Sequence, residues 1–305
     1  MKKVVITGAT GFVGSHLAKK LLKDGVKVYG VGRNKERLDE LTKHGDFIPV
    51  VADFEQYENL HKLIDDRDFC MFWHLAWEGT RTSAADSAHY DYNIQIRNIK
   101  AASDAATTAV KIRSNGSSSS SSKQEFGVIA EDFGNRFNPS VYGVAKKAAS
   151  DMFRAIAYKN NMKCNNIIFP AMFGVEDNPS SIIVFFIKQM LANEPLKLVE
   201  GHHTADWVYI DDLVDGIVSA SKSKHMFRDY YIGHKSLSVF KEKLVAMKNI
   251  LSSSSKLEFG EYPEVCRVDY DKLDLGALYN DTGFEITSSF EERILQTAEW
   301  VKTLY

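Results

Sequence analysis

The amino-acid sequence predicts an α/β fold built on a doubly wound parallel sheet. Three observations carry this expectation: an apolar run near the N-terminus, a glycine-rich turn directly after it, and repeated strand–helix alternation through the first half. Val4, Val5 and Ile6 form the apolar run, as expected of a strand buried on both faces of a parallel sheet. Phe12 to Leu22 reads as a helix with Val13, Leu17, Leu21 and Leu22 on one face. Val26 to Val31 is the next strand and Lys35 to Leu41 a short charged helix. Phe47 to Val51 and Phe69 to Leu75 supply two more strands. A long helical stretch from Ala88 to Ala106 leads toward a further strand near Val110.

The second half is less regular. Asn166 to Phe169 reads as a strand and Ile182 to Leu191 as a helix. Asp211 to Ala220 reads as a helix opened by a capping aspartate, and Glu291 to Leu304 as an amphipathic helix. Lys241 to Lys248 has the pattern of a solvated amphipathic face. Residues 1–165 are expected to form a dinucleotide-binding domain, and residues 166–305 a mainly substrate-binding portion partly interleaved with it. No repeat of 20–50 residues is present. Two serine runs, Ser117–Ser122 and Ser252–Ser255, read either as flexible linkers or as stand-ins for unidentified residues.

Composition narrows the function classes. Lys and Arg number 38 against 40 Asp and Glu, a net charge of -2, which argues against a nucleic-acid or membrane-surface partner. Three scattered cysteines, Cys70, Cys164 and Cys266, give neither a disulfide framework nor a paired-cysteine zinc site, and they suit a reducing compartment. His202-His203 has no carboxylate cluster nearby, so no metal is expected. The N-terminal apolar stretch is too short for a signal peptide, and Ile182–Ile187 is too short to span a bilayer, so a cytoplasmic protein is expected.

Chemistry begins at Gly8-Ala9-Thr10-Gly11-Phe12-Val13-Gly14, which follows the first strand and opens the first helix. A dinucleotide's pyrophosphate must approach the backbone closely there, so side chains must be small. The helix N-terminus then offers open N–H groups and the positive end of its dipole. Strand before and helix after satisfy the context that a glycine pattern alone lacks. At the end of the second strand, where an acidic residue would bind the ribose of NAD, this chain has Gly32-Arg33-Asn34-Lys35. Arg33 suits the 2′-phosphate of NADP, or simply opens a solvated helix. Asp53 is placed to accept from an adenine amino group, or to cap a helix.

Tyr142 and Lys146 in YGVAK are four residues apart, hence on one face of a helix. A phenol with a pKa of about 10 is a poor base near neutrality. A neighbouring ammonium favours the phenolate and makes Tyr142 a usable acid/base, and the same ammonium suits the nicotinamide ribose.

With these motifs the chain resembles the extended short-chain dehydrogenase/reductases, in their NAD(P)-dependent nucleotide-sugar epimerase/dehydratase group. The resemblance spans nearly the whole length: GATGFVG at 8–14, ADF at 52–54, HLAWEG at 74–79, YGVAK at 142–146, PAMFG at 170–174 and DWVYIDD at 206–212. The first and fourth are specific when found together. The resemblance implies a Rossmann-type sheet, with NAD or NADP held by Gly8, Thr10, Gly11, Phe12, Val13, Gly14, Arg33, Asp53, Phe54 and Lys146. It also implies that Leu75 and Ala76 line the cofactor groove, and that Pro170 and Phe173 pass the nicotinamide. A catalytic Ser or Thr is implied after the fifth strand. Gly116-Ser117, 25 residues before Tyr142, is the placement chosen, with Ser118 and Ser122 behind it; Phe126-Gly127 points to Ser122. Ala171 stands where many relatives carry a sugar-contacting Asn. A homodimer is implied as well.

The expected function is an NAD(P)-dependent epimerase or ketoreductase acting on a nucleotide-activated sugar. The competing class is a non-catalytic NAD(P)-binding sensor or scaffold, which needs the glycine loop but not Tyr142 and Lys146. A 4,6-dehydratase ranks third, because no acidic residue follows Ser117 directly.

Overall fold

The computed structural model describes residues 2–79, 91–114, 125–131, 141–168, 170–263 and 270–304. The chain divides into two compact units. One comprises Met1–Asp132, Asn138–Ile168 and Ile217–Tyr230; the other comprises Phe133–Phe137, Phe169–Gly216 and Tyr231–Tyr305.

The first unit alternates strand and helix: β1 (Lys3–Thr7), α1 (Phe12–Lys23), β2 (Lys27–Gly32), α2 (Lys35–Leu41), β3 (Phe47–Val51), α3 (Leu60–Leu63), β4 (Met71–His74), α4 (Tyr92–Ser114), β5 (Glu125–Glu131), α5 (Val141–Lys159) and β6 (Lys163–Ile168). A seventh strand, Phe227–Tyr231, completes one sheet whose order in space is Phe227–Tyr231, β6, β5, β4, β1, β2, β3. Every neighbouring pair from β6 to β3 is parallel. After β1 the chain adds β2 and β3 on one side, then returns to lay β4 on the other. The carboxyl ends of β1 and β4 therefore flank the point where strand order reverses, which is where open α/β sheets take ligands.

The strand expected near Val110 does not form. α4 runs through Val110 to Ser114, and β5 takes the sheet position beside β4. The cause is an alanine stripe. Ala101, Ala102, Ala105, Ala106, Ala109 and Ile112 recur at helical spacing and are all buried. Lys111 and Arg113 then fall in the last turn, where the helix dipole favours cations. The stripe packs into a core shared with Val5, Phe72 and, from α5, Ala149, Phe153 and Ala157.

The second unit holds β7 (Ala171–Phe173), α6 (Ile182–Leu191), β8 (Leu196–Val199), β9 (Thr204–Ala205), β10 (Trp207–Tyr209) and the start of α7 (Ile210–Ala220), whose last turn, from Ile217, falls in the first unit. β11, the Phe227–Tyr231 strand, follows. Then come β12 (Ser238–Val239), α8 (Phe240–Ile250), β13 (Leu257–Tyr262), α9 (Ala277–Thr282) and α10 (Phe290–Lys302). β7 pairs with β10 and β8 with β13 in parallel, whereas β9 pairs with β12 antiparallel. Phe173, Phe186, Trp207, Tyr209, Phe240 and Phe290 form a chain of ring contacts in its interior.

Three sequence expectations change here. α7 starts at Ile210, so Asp211 lies inside the first turn with Asp212 instead of capping it. Asp212 accepts from Ser288 Oγ at 2.6 Å and from Arg293. Ser252–Ser255 is an ordered turn, not a linker: Ser253 Oγ donates to the Met190 carbonyl at 2.6 Å, and Ser255 is buried. On α8, Leu244 and Met247 are buried, and Lys243 lies 5.3 Å from the centre of the Phe290 ring, where desolvation lowers its pKa. The face is only partly solvated.

Candidate active site

The glycine loop is held by backbone contacts. Gly8 and Ala9 N–H both donate to the Val31 carbonyl, at 2.9 and 3.1 Å, which ties the loop to the end of β2. Gly11 N–H donates to the Gly8 carbonyl at 2.9 Å, and Gly11 is the N-cap of α1. The N–H groups of Phe12, Val13 and Gly14 lie in the first turn of α1, where a helix offers no acceptor of its own. Two glycines are required by close approach. Gly8 has φ +75°, and a Cβ there would lie 2.7 Å from the Ala76 nitrogen and the Leu75 carbonyl carbon. A Cβ on Gly14 would lie 2.1 Å from the Gly8 carbonyl oxygen. The loop, the first turn of α1 and the Leu75-Ala76 segment after β4 thus form a cradle walled by backbone. That suits a pyrophosphate, which needs N–H donors and tolerates no side chains between itself and them.

Tyr142 and Lys146 lie one turn apart on the buried face of α5, at 6% and 4% exposure. The helix thus delivers the pair that the sequence spacing predicts. Trp77, from the HLAWEG segment, joins them. Its ring meets Tyr142 edge-on at 6.0 Å, and the Lys146 ammonium stands 3.9 Å from the centre of the Trp77 ring. The indole faces the cation with its negative π surface, an attractive arrangement. Trp77 is itself fixed, because its N–H donates to Gln95 Oε1 at 3.1 Å. Beneath lies His74, the last residue of β4, bonded through Nδ1 to Thr7 Oγ1 at 2.7 Å. Burial first, and the Lys146 charge second, push its pKa down to about 3, so it is neutral at physiological pH. A phenol and an ammonium held together beside a neutral histidine can move one proton to and from a substrate hydroxyl.

At the far end of the loop, Arg33 follows β2 and is exposed. Its Nη1 donates to Glu78 Oε1 at 3.2 Å. Asp53 caps the turn Phe54–Asn59: its Oδ1 accepts from Phe54 N–H at 2.7 Å, and its own N–H donates to Gln56 Oε1 at 2.8 Å. Phe54 and Thr10 are half-buried beside this end. In the second unit Pro170 is half-buried and Phe173 is buried, edge-on to Tyr209 at 5.6 Å. Ser117, Ser118 and Ser122 lie outside the described residues. The run precedes β5 in sequence, whereas the resemblance implies a Ser or Thr after the fifth strand; the choice of Ser117 rests on Gly116-Ser117 and its 25-residue separation from Tyr142.

Sequence reasoning missed Glu78, Gln95 and Asn98. Gln95 and Asn98 sit three apart on α4, a helical spacing that put both on the face toward the HLAWEG segment, but polar residues on a long helix normally read as solvated. Asp206, in the DWVYIDD segment, also proves to be a hub. Its carboxylate accepts from Tyr231 OH at 2.7 Å, His234 N–H at 2.8 Å and His234 Nδ1 at 2.7 Å. Although burial alone would raise its pKa, these donors hold it below the usual carboxylate range.

A sequence-family model described as the NAD dependent epimerase/dehydratase family matches residues 4–233. UDP-glucuronate 4-epimerase 1 of Arabidopsis thaliana is 24% identical, over 99% of this chain and 77% of that protein. Among solved structures, UDP-glucose 4-epimerase of Thermotoga maritima with UDP-glucose superposes with a TM-score of 0.79 at 21% identity, covering 99% of this chain and 100% of that one. UDP-glucuronic acid 4-epimerase of Bacillus cereus, with UDP-glucuronic acid and NAD, gives a TM-score of 0.77 at 20% identity, with 99% and 100% covered. The two solved structures share the fold of this chain.

Proposed function

Because the chain belongs to the NAD dependent epimerase/dehydratase family, we propose that it inverts the configuration at C4 of a UDP-linked sugar, using a retained NAD. The observation that carries this reading is the buried Tyr142–Lys146 pair on α5, in a chain whose first strand opens into a backbone-walled cradle. The similar proteins named above, which are 4-epimerases of UDP-glucuronate or UDP-glucose, support the substrate class and the carbon.

In this reading the N–H groups of Phe12, Val13 and Gly14 hold the pyrophosphate. Gly8, Thr10 and Gly11 shape the approach, and Leu75 and Ala76 line the groove. Asp53 and Phe54 meet the adenine end, and Lys146 holds the nicotinamide ribose. NAD supplies a site that takes a hydride from the sugar carbon and returns it, so no outside oxidant is consumed. Tyr142 takes the proton of the sugar hydroxyl as that carbon is oxidised, and gives it back to the same oxygen after the sugar has presented its other face. The Lys146 charge favours the phenolate form that this exchange needs. Ser117 is the proposed orienting hydroxyl, with Ser118 and Ser122 to be replaced alongside it. A homodimer is part of the proposal, supported by Tyr92 and Ile96, which lie one turn apart on α4 and are 63% and 59% exposed. A cytoplasmic location fits Cys70 and Cys164, the free thiols among the described residues. Among the described residues no helix is long and apolar enough to cross a membrane.

The test is to incubate the purified chain with UDP-glucose or UDP-glucuronate, without added cofactor, and follow the sugar by proton NMR. Appearance of the C4 epimer, together with stoichiometric NAD released on denaturation, is the expected result. Reduction of a keto sugar that consumes NADPH and yields no epimer would instead make the chain a ketoreductase.

A further inference from the structure

We propose that Glu78 sets the cofactor preference of this chain: it occupies the guanidinium of Arg33 and turns the adenosine end against a 2′-phosphate. The inference rests on the dinucleotide-binding reading above and adds to it a residue that decides which dinucleotide is held.

Arg33 is the first residue after β2, the place where a parallel nucleotide-binding sheet reads the 2′ position of the adenosine ribose. The sequence alone leaves it either a phosphate receptor or the opening of a solvated helix. The structure gives it a different partner. Glu78, four residues past the end of β4, accepts from Arg33 Nη1 at 3.2 Å through Oε1 and from Arg97 Nη1 at 2.9 Å through Oε2. Arg97 in turn pairs with Glu55, beside the Asp53 cap. Two cations and two anions alternate along this line, so the network carries no net positive charge.

Glu78 is also placed by its backbone. Its N–H donates to Asn98 Oδ1 at 2.9 Å, and its carbonyl accepts from Asn98 Nδ2 at 2.9 Å. Asn98 is buried at 1% exposure and donates further to Gln95. The carboxylate is therefore delivered from a rigid point on α4, and it is the less exposed member of the Arg33 pair, at 26% against 60%. An exposed ion pair contributes little to folding. Its effect on a ligand is different, because a phosphate arriving at Arg33 must displace a carboxylate that stays close by. It gains one guanidinium contact and meets one repulsive charge. A neutral ribose hydroxyl meets no such opposition. Repulsion between a phosphate dianion and a carboxylate at contact range through water corresponds to about tenfold in affinity.

The test measures dissociation constants for NAD+ and NADP+ on the protein freed of bound nucleotide, by calorimetry. The native chain should bind NAD+ at least about tenfold more tightly. Glu78→Gln keeps the shape and the Asn98 bonds but removes the charge; it should tighten NADP+ about tenfold while NAD+ changes less than about twofold. Adding Arg33→Ala to that variant should abolish the gain. Arg33→Ala alone should change NADP+ affinity less than about twofold, because its guanidinium is already committed. An unchanged preference in Glu78→Gln overturns the proposal, as does a tenfold loss of NADP+ affinity in Arg33→Ala alone. A native chain that binds NAD+ yet prefers NADP+ overturns it while leaving the dinucleotide reading intact. No affinity for either nucleotide overturns both.

Discussion

Gly14→Ala tests the cradle directly. The added Cβ would lie 2.1 Å from the Gly8 oxygen, 2.8 Å from the Gly8 carbonyl carbon and 3.0 Å from the Ala9 Cα. All three are backbone atoms, so no side chain can rotate away. Restoring ordinary contact requires α1 and the loop to part by roughly 1 Å, and overpacking of this kind costs about 1–3 kcal/mol. The same movement withdraws first-turn N–H groups from the pyrophosphate. Losing two charge-assisted hydrogen bonds of about 1.5 kcal/mol each predicts a weakening of NAD binding by at least a hundredfold. Gly25→Ala is the matched control. It has φ +73° and nothing within 4 Å of its Cβ position, so it pays backbone strain of about 1 kcal/mol without moving the loop. Calorimetric titration with NAD, paired with thermal melts, separates the two. The reasoning is refuted if Gly14→Ala binds NAD within threefold of the native chain.

Two further outcomes follow from buried groups. Asp206→Ala leaves the Tyr231 hydroxyl and two His234 donors without their acceptor, and should cost about 3 kcal/mol or more, seen as a lower urea midpoint; a loss under about 1 kcal/mol contradicts the hub. His74 has a folded pKa of about 3, below its unfolded value, so the unfolded chain binds the extra proton between those values. Its contribution to stability is intact above about pH 6.5 and should fall by about 2 kcal/mol by pH 5. Denaturant melts of the native chain and His74→Gln at pH 7 and pH 5 check this: the variant should lose less on acidification, and parallel losses contradict it.

Much of the first unit is legible in the sequence because a parallel strand buried on both faces leaves an uninterrupted apolar run. Val4–Ile6 does so, with Lys3 before the run and Thr7-Gly8 closing it. Helix α4 misled because alanine is apolar but small. Its buried stripe looked like the end of one helix and the start of a strand, when it continued one turn after another to Ile112. The short strands of the second unit, two to six residues each, carry too few alternations to show a period. Within the site, Tyr142 and Lys146 could be read because both sit on a single helix. The Trp77–Lys146 and Glu78–Arg33 contacts join segments dozens of residues apart, and side-chain partners across such distances leave no spacing to read.

The most direct test of the central claim is turnover by Tyr142→Phe, measured by proton NMR on UDP-glucose and UDP-glucuronate beside the native chain. The substitution removes one hydroxyl and keeps the ring that Trp77 packs against, so the variant should still hold NAD. Loss of a positioned acid/base predicts a fall in kcat of about 10²–10⁴-fold. A variant that binds NAD and still interconverts the C4 epimers at the native rate would contradict the account.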